Sequence, residues 1–178
     1  MLSRYDMSSL FDRFTAIRAA ARPELKGIVE ELAHEHAWLS GQSDLRERAA
    51  AGVIHGDLFR DNVLWQGGAP ILLDFEQASA GSCVYDLAVT INDWCWNPQY
   101  QPALKDSLLA GYARRRPLTV ADRAALPVEL RASAMRFAIT RITDVYLAGI
   151  TNPAKDFRDY VRRLHHWQRL ASEPAHVE

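Results

Sequence analysis

Cysteine is scarce in this 178-residue chain, which has only Cys83 and Cys95. Two thiols cannot build a disulfide framework, and they fit a reducing compartment. Lysine is almost as rare. Lys26, Lys105 and Lys155 are the only ones, so nearly all the positive charge is arginine. Neither sign of charge is in excess, since the formal net charge is -1. That balance gives no electrostatic case for a nucleic-acid partner or an anionic membrane. No run of about 18 apolar residues is present to span a bilayer, and the opening Met1–Asp6 has no signal-peptide core. The cytoplasm is the expected location. Internal repeats and low-complexity segments are also absent. What is there is ordinary for a globular protein: 48% hydrophobic and 24% charged residues, at a length that suggests one domain with a real core.

The chain is organised around Val53 to Ala88. Two short β-rich runs, Val63-Leu64-Trp65 and Ile71-Leu72-Leu73, flank Gln66 to Pro70. That five-residue connection contains two glycines and predicts a hairpin with a longer loop. Asp57 lies just before the first run, Asn62 at its entry, and Asp74 directly after the second. A hairpin therefore holds two carboxylates and an amide near one end of a rigid element. Mg²⁺ takes oxygen ligands of this kind, usually one or two carboxylates, and fills its octahedron with water and phosphate. The spacing His55-x-Asp57-x-x-x-x-Asn62 is that of a kinase catalytic loop, and Asp74-Phe75-Glu76 stands where kinases place a metal-binding Asp. On this pattern Asp57 accepts the proton of an attacking hydroxyl, while Asn62 and Asp74 hold Mg²⁺ against the phosphates of ATP. The plain alternative is a hairpin with ordinary turn-forming Asp and Asn at its ends.

The sequence His55 to Trp65, with Ile71 to Glu76 and Tyr85 to Ala88, resembles the aminoglycoside phosphotransferase and choline kinase superfamily. Asp86 to Trp96, Pro117 to Pro127 and Leu130 to Arg141 are similar to its bacterial homoserine kinases. Two positions depart from that branch: Gly56 where Ala is usual, and Glu76 where an aromatic is usual. The resemblance implies an α+β, mostly α fold: helices around a small β-hairpin, as in the C-terminal lobe of a protein-kinase-like enzyme. It implies ATP and Mg²⁺ as cofactors and a small-molecule hydroxyl as acceptor, with homoserine favoured, as in threonine biosynthesis. It also implies that Asp86 braces the catalytic loop and that His55 is architectural. A kinase of this kind further needs a phosphate-covering Gly-rich loop and a strand-borne Lys. Neither precedes Val53, so residues 1–178 are expected to form a single C-terminal lobe, with the N-terminal ATP-grasping lobe missing. The competing function class is a phosphotransferase-like module that binds a ligand or partner and transfers nothing.

The remaining residues sort by helical periodicity. Helices are expected over residues 8–21 and from Pro23 through Leu39, with residues 45–51 as a short helical linker. Others are expected from Asp86 through Trp96, over Leu104–Arg116, from Val128 to Ala148, and over Asp156–Leu170. Thr119 is placed as the N-cap of a turn ending at Ala125. His34 and His36, two apart on a helix, point to different sides and make no metal pair. Arg60 either serves the transferred phosphate or pairs with Asp61. Asp93 is either a solvated helix residue or the partner of an acceptor ammonium. Arg136 and Arg141 fall off the apolar stripe of their helix. Both are either surface charges, with Arg141 pairing to Asp144, or one of them binds an acceptor carboxylate.

Overall fold

In a computed structural model, residues 7–172 are described. Met1–Asp6, with the expectation about its missing signal core, lies outside them. The described residues divide into two units, residues 44–130 and residues 7–43 with 131–172.

The first unit holds all the strands described. Strand β1 (Ala51–Ile54) pairs antiparallel with β4 (Ser79–Ser82), with Ile54 opposite Ser79. Between them in sequence, β2 (Val63–Gln66) and β3 (Ala69–Leu72) form the expected hairpin, with Leu64 opposite Ile71. The β1–β4 ribbon therefore closes the base of an excursion, and residues 55–62 and 73–78 both leave from its Ile54–Ser79 end. The sequence predicted one ribbon and a helical residue 51. The structure has two ribbons, with residues 43–47 as the helical part (α3, Ser43–Glu47) and Ala51 opening β1. The hairpin turn also differs from expectation. Gln66 pairs with Ala69, so the connection is the two residues Gly67-Gly68, at φ 58° and 81°. Positive φ at both central residues matches the right-handed strand twist, and glycine adopts it without steric cost. Pro70 then sits inside β3, which a two-stranded ribbon tolerates because one strand edge lacks a partner.

Helix α4 (Cys83–Trp94) follows β4 directly and buries Val84, Leu87, Ala88 and Ile91. Helix α5 (Pro102–Ala113) starts with Pro in its first turn, where the missing N–H is an orphan anyway. Helix α6 (Val120–Arg141) begins where Thr119 caps it. The Asp122 N–H donates to Thr119 Oγ1 at 3.0 Å, and Asp122 Oδ2 accepts the Thr119 N–H at 2.9 Å, a reciprocal cap. This one helix replaces the expected turn and separate helix, running on through Pro127. A π-helical turn (Ile142–Tyr146) continues it.

Asp122 reaches beyond its own helix, because Oδ1 accepts the Ala50 N–H at the entry to β1 at 2.9 Å. Its side chain is buried. Burial alone would raise its pKa. The N–H groups of Ala50 and Thr119 and the Thr119 side chain together outweigh it and hold the carboxyl below the ordinary range. A folded-state pKa below the unfolded one stabilises above the unfolded value, and that gain is lost as pH falls through the folded value. Asp122→Asn is therefore expected to cost about 1–3 kcal/mol at pH 7. It should also flatten the loss of stability below about pH 4. Urea unfolding at pH 7 and pH 3 checks both; equal wild-type and variant slopes on the acid side would contradict the assignment.

The second unit contains α1 (Met7–Ala19), α2 (Lys26–Ser40), the end of α6 from Arg131, and α7 (Phe157–Ser172). Leu25, Leu32 and Leu39 of α2 and its lead-in are buried, as are Met135, Ile139 and Ile142, and Tyr160 and Leu164 of α7. Within this core Glu35 is buried and receives Arg131 through both oxygens, at 2.7 and 2.6 Å, and Gln168 at 2.9 Å. Arg131 also stacks 3.3 Å above the Trp38 ring centroid. A buried carboxylate is tolerated only when charge and hydrogen bonds are matched in this way. Among the described residues no helix is long and apolar enough to cross a membrane.

Candidate active site

The loop after β1 is built from backbone bonds to side chains. Asp86, in the first turn of α4, accepts the His55 N–H on Oδ2 at 2.7 Å and the Gly56 N–H on Oδ1 at 2.8 Å. One carboxylate thus fixes two successive peptide groups. Gly56 has φ 78°, a left-handed conformation, and an added Cβ would sit 3.1 Å from the Gln77 carbonyl oxygen. Glycine relieves both constraints here.

His55 is buried, with its ring 4.7 Å from that of Phe75. Its Nε2 lies 2.7 Å from the Leu73 carbonyl oxygen, and its Nδ1 faces the Asp57 N–H at 3.3 Å. A carbonyl can only accept, so the proton sits on Nε2 and Nδ1 accepts. With both nitrogens engaged to backbone, the ring ties the residue before Asp74 to the peptide of Asp57. It has no spare nitrogen for a reacting proton.

Asp57 and Asn62 are half-buried. The Asn62 amide nitrogen donates to the Asp57 carbonyl at 2.8 Å and to its carboxylate Oδ2 at 3.3 Å. This orients the carboxylate and leaves Asn62 Oδ1 as an acceptor. The Leu73 N–H donates to the Asn62 carbonyl at 2.9 Å, extending the β2–β3 ladder by one step past Val63–Leu72. Asp74 is therefore the residue next to the one held against Asn62. It is exposed and left-handed, at φ 58°, and the chain turns from it into a 3-10 segment over Phe75–Gln77. For a non-glycine residue that conformation is unfavourable, and strain of this type concentrates at functional sites.

No group of three or more His, Cys, Asp or Glu side chains forms a metal site among the described residues. A hard cation sharing its shell with phosphate and water does not need one. The Asn62 amide oxygen and the Asp74 carboxylate are an all-oxygen donor set of the kind Mg²⁺ takes.

Arg60 pairs with Asp93 and not with Asp61. Asp93 Oδ2 accepts from the Arg60 N–H at 2.9 Å and from its Nε at 3.2 Å. Asp61 is not involved, and Asp93 is engaged by a guanidinium of its own chain. Arg136 and Arg141 belong to the second unit. Arg136 is buried, not a surface charge, and its guanidinium lies 4.5 Å from the Phe137 ring centroid. Arg141 donates to the Asp156 carbonyl at 3.2 Å and lies 4.4 Å from the Tyr160 ring centroid. Its expected partner Asp144 pairs with Arg13 instead. Trp94, which sequence reasoning missed, also reaches the loop: its Nε1 donates to the Leu58 carbonyl at 3.3 Å, and its place beside Asp93 in the last turn of α4 is the one signal that could have found it.

A homoserine kinase of Methylobacterium radiotolerans is 44% identical over 119 residues, covering 64% of this chain and 37% of that protein. A homoserine kinase of Nitrobacter winogradskyi is 36% identical over 176 residues, covering 95% of this chain and 52% of that protein. The chain thus spans about half the length, or less, of these curated relatives. Among solved structures, a choline/ethanolamine kinase family protein from Mesorhizobium loti shares the fold. It superposes with a TM-score of 0.67 at 16% identity, over 98% of this chain and 57% of that one. The phosphotransferase enzyme family profile matches residues 4–118, the span that contains the Asp57 loop, the hairpin and α4. The chain belongs to the phosphotransferase enzyme family.

Proposed function

We propose that this chain carries the catalytic loop of an ATP-dependent phosphotransferase, and that its acceptor is the hydroxyl of L-homoserine, giving O-phospho-L-homoserine. The observation that carries the proposal is the Asp57 carboxylate, oriented by Asn62 and tied through His55 to the residue before Asp74. In the reaction the acceptor oxygen attacks the γ-phosphorus of ATP. Its proton passes to Asp57, and the bond from the γ-phosphorus to the bridging oxygen breaks with its electrons going to ADP. Bound at Asn62 and Asp74, Mg²⁺ would neutralise charge on the phosphates. Asp86 and His55 keep the loop in place and move no proton.

The kinase loop and the family support phosphoryl transfer. The relatives named homoserine kinase, at 36–44% identity, support the acceptor. Homoserine carries a carboxylate and an ammonium besides its hydroxyl, and a guanidinium fork suits the carboxylate. We further assign residues 1–178 to the lobe bearing the catalytic loop, whose hairpin leaves Leu64, Trp65 and Ile71 exposed, Trp65 to 62%. The cytoplasm remains the proposed location.

The test is phosphate transfer by the full-length protein to homoserine, choline, an aminoglycoside and a simple sugar. Homoserine should be the preferred acceptor. Preference for another acceptor would overturn the homoserine assignment, and no transfer to any acceptor would overturn the enzyme.

A further inference from the structure

The loop that carries Asp57 is fastened to α4 at three places. Asp86 holds its start through the His55 and Gly56 N–H groups. Trp94 holds its middle through the Leu58 carbonyl. Asp93 holds its end through the Arg60 N–H and Nε. Asp86 stands in the first turn of α4, and Asp93 and Trp94 in its last, so the fastenings are about 10 Å apart along a rigid rod. The first is the brace that the family resemblance implies. The other two hold the residues directly after Asp57.

We propose that Asp93 and Trp94 are positioning residues for Asp57, and that Arg60 is the counter-ion of Asp93 and not a ligand of phosphate or acceptor. A catalytic carboxylate on a free loop would sample many orientations. One bonded at Asp86 alone could still swing about residues 58–60. Bonds to the Leu58 carbonyl and the Arg60 N–H remove that freedom, and an error of about 1 Å in such a group costs on the order of 100-fold in rate. Both bonds of Asp93 fall on one oxygen, Oδ2. The backbone bond does the positioning. The guanidinium cancels a carboxylate charge that would otherwise repel incoming phosphates. The Asp93 side chain is only 15% exposed, against 46% for Arg60, which is the pattern of an anchored acceptor and a covering cation.

The kinetic consequence rests on the phosphotransferase reading; the structural one does not, so the experiment has two arms. Asp93→Ala removes both bonds, Asp93→Asn keeps an oxygen for the Arg60 N–H, and Arg60→Ala keeps the backbone bond because the N–H belongs to the main chain. In the full-length enzyme, Asp93→Ala is expected to lower kcat roughly 10–100-fold with little change in acceptor KM. Asp93→Asn and Arg60→Ala should lose several-fold less. If both Asp93 variants instead raise acceptor KM with kcat intact, Asp93 binds the substrate ammonium and the proposal falls. If Arg60→Ala loses as much kcat as Asp93→Ala, Arg60 serves the phosphate and the proposal also falls.

The second arm is amide hydrogen exchange on the 178-residue chain. Exchange of the Arg60 amide should accelerate at least about tenfold in Asp93→Ala and much less in Asp93→Asn. Unchanged protection in Asp93→Ala overturns the clamp whatever the enzyme does. The expected exchange pattern in a wild-type protein that transfers no phosphate would sink the phosphotransferase reading and leave the clamp standing. Trp94→Phe, which keeps an aromatic ring and loses the N–H, carries the same test if Asp93→Ala does not fold. Faster exchange over residues 58–60 with lower kcat supports the proposal, and wild-type values of both overturn it.

Discussion

Asp57→Asn is expected to lower kcat of the full-length enzyme about 10²–10⁴-fold, the range for removing a positioned general base. The amide is nearly the same size and can still accept from Asn62, so the loop should stay folded. What disappears is the basic oxygen that takes the hydroxyl proton. Nucleotide binding depends on other groups, so ATP affinity should change by no more than about threefold, as expected for an interaction made only in the transition state. Steady-state kinetics with ATP titrated calorimetrically checks both numbers. A variant with near-wild-type turnover would show that Asp57 is not the base.

Asp86→Ala should produce the second large effect, and this one appears in the folded state before any chemistry. Two N–H groups, of the buried residues His55 and Gly56, would lose a charged acceptor at once. Each unsatisfied donor costs about 1–3 kcal/mol, so a total of about 2–4 kcal/mol is expected after relaxation. Asp86→Asn should be intermediate, because its amide offers one acceptor oxygen and turns an NH₂ toward the second donor. Urea unfolding of the 178-residue chain measures this without any substrate. Loss below about 0.5 kcal/mol, the level of an ordinary surface change, would mean that the two bonds are not held in solution.

The hairpin was legible in the sequence because each level agreed. Val, Trp and Ile favour strands, and paired glycines between them mark the turn. The turn length was misjudged because Pro70 suggested loop, and a proline on a ribbon edge is the exception to that rule. The β1–β4 ribbon was not legible. Its strands are Ala-Gly-Val-Ile and Ser-Ala-Gly-Ser, mostly poor strand formers, and their pairing closes a long excursion that no local signal records. Asp57, Asn62 and Asp74 could be singled out by spacing alone. The partner of Arg60 could not, since Asp93 lies 33 positions away and the adjacent Asp61 offered a nearer acid. The burial of Arg136 was hidden for a related reason. Its position off the stripe of Met135, Ile139 and Ile142 suggested solvent, yet the fold covers it. Helical periodicity ranks faces by hydrophobicity and does not report that a second face is also packed.

The central claim is that Asp57 acts at the phosphoryl-transfer step. The most direct measurement is a rapid-quench single turnover with the full-length protein, homoserine and γ-labelled ATP, comparing wild type with Asp57→Asn. The account predicts that the same fraction of ATP is bound in both, and that transfer of label to homoserine slows at least about 100-fold in the variant. Transfer at the wild-type rate in Asp57→Asn, with label appearing on homoserine, would contradict it.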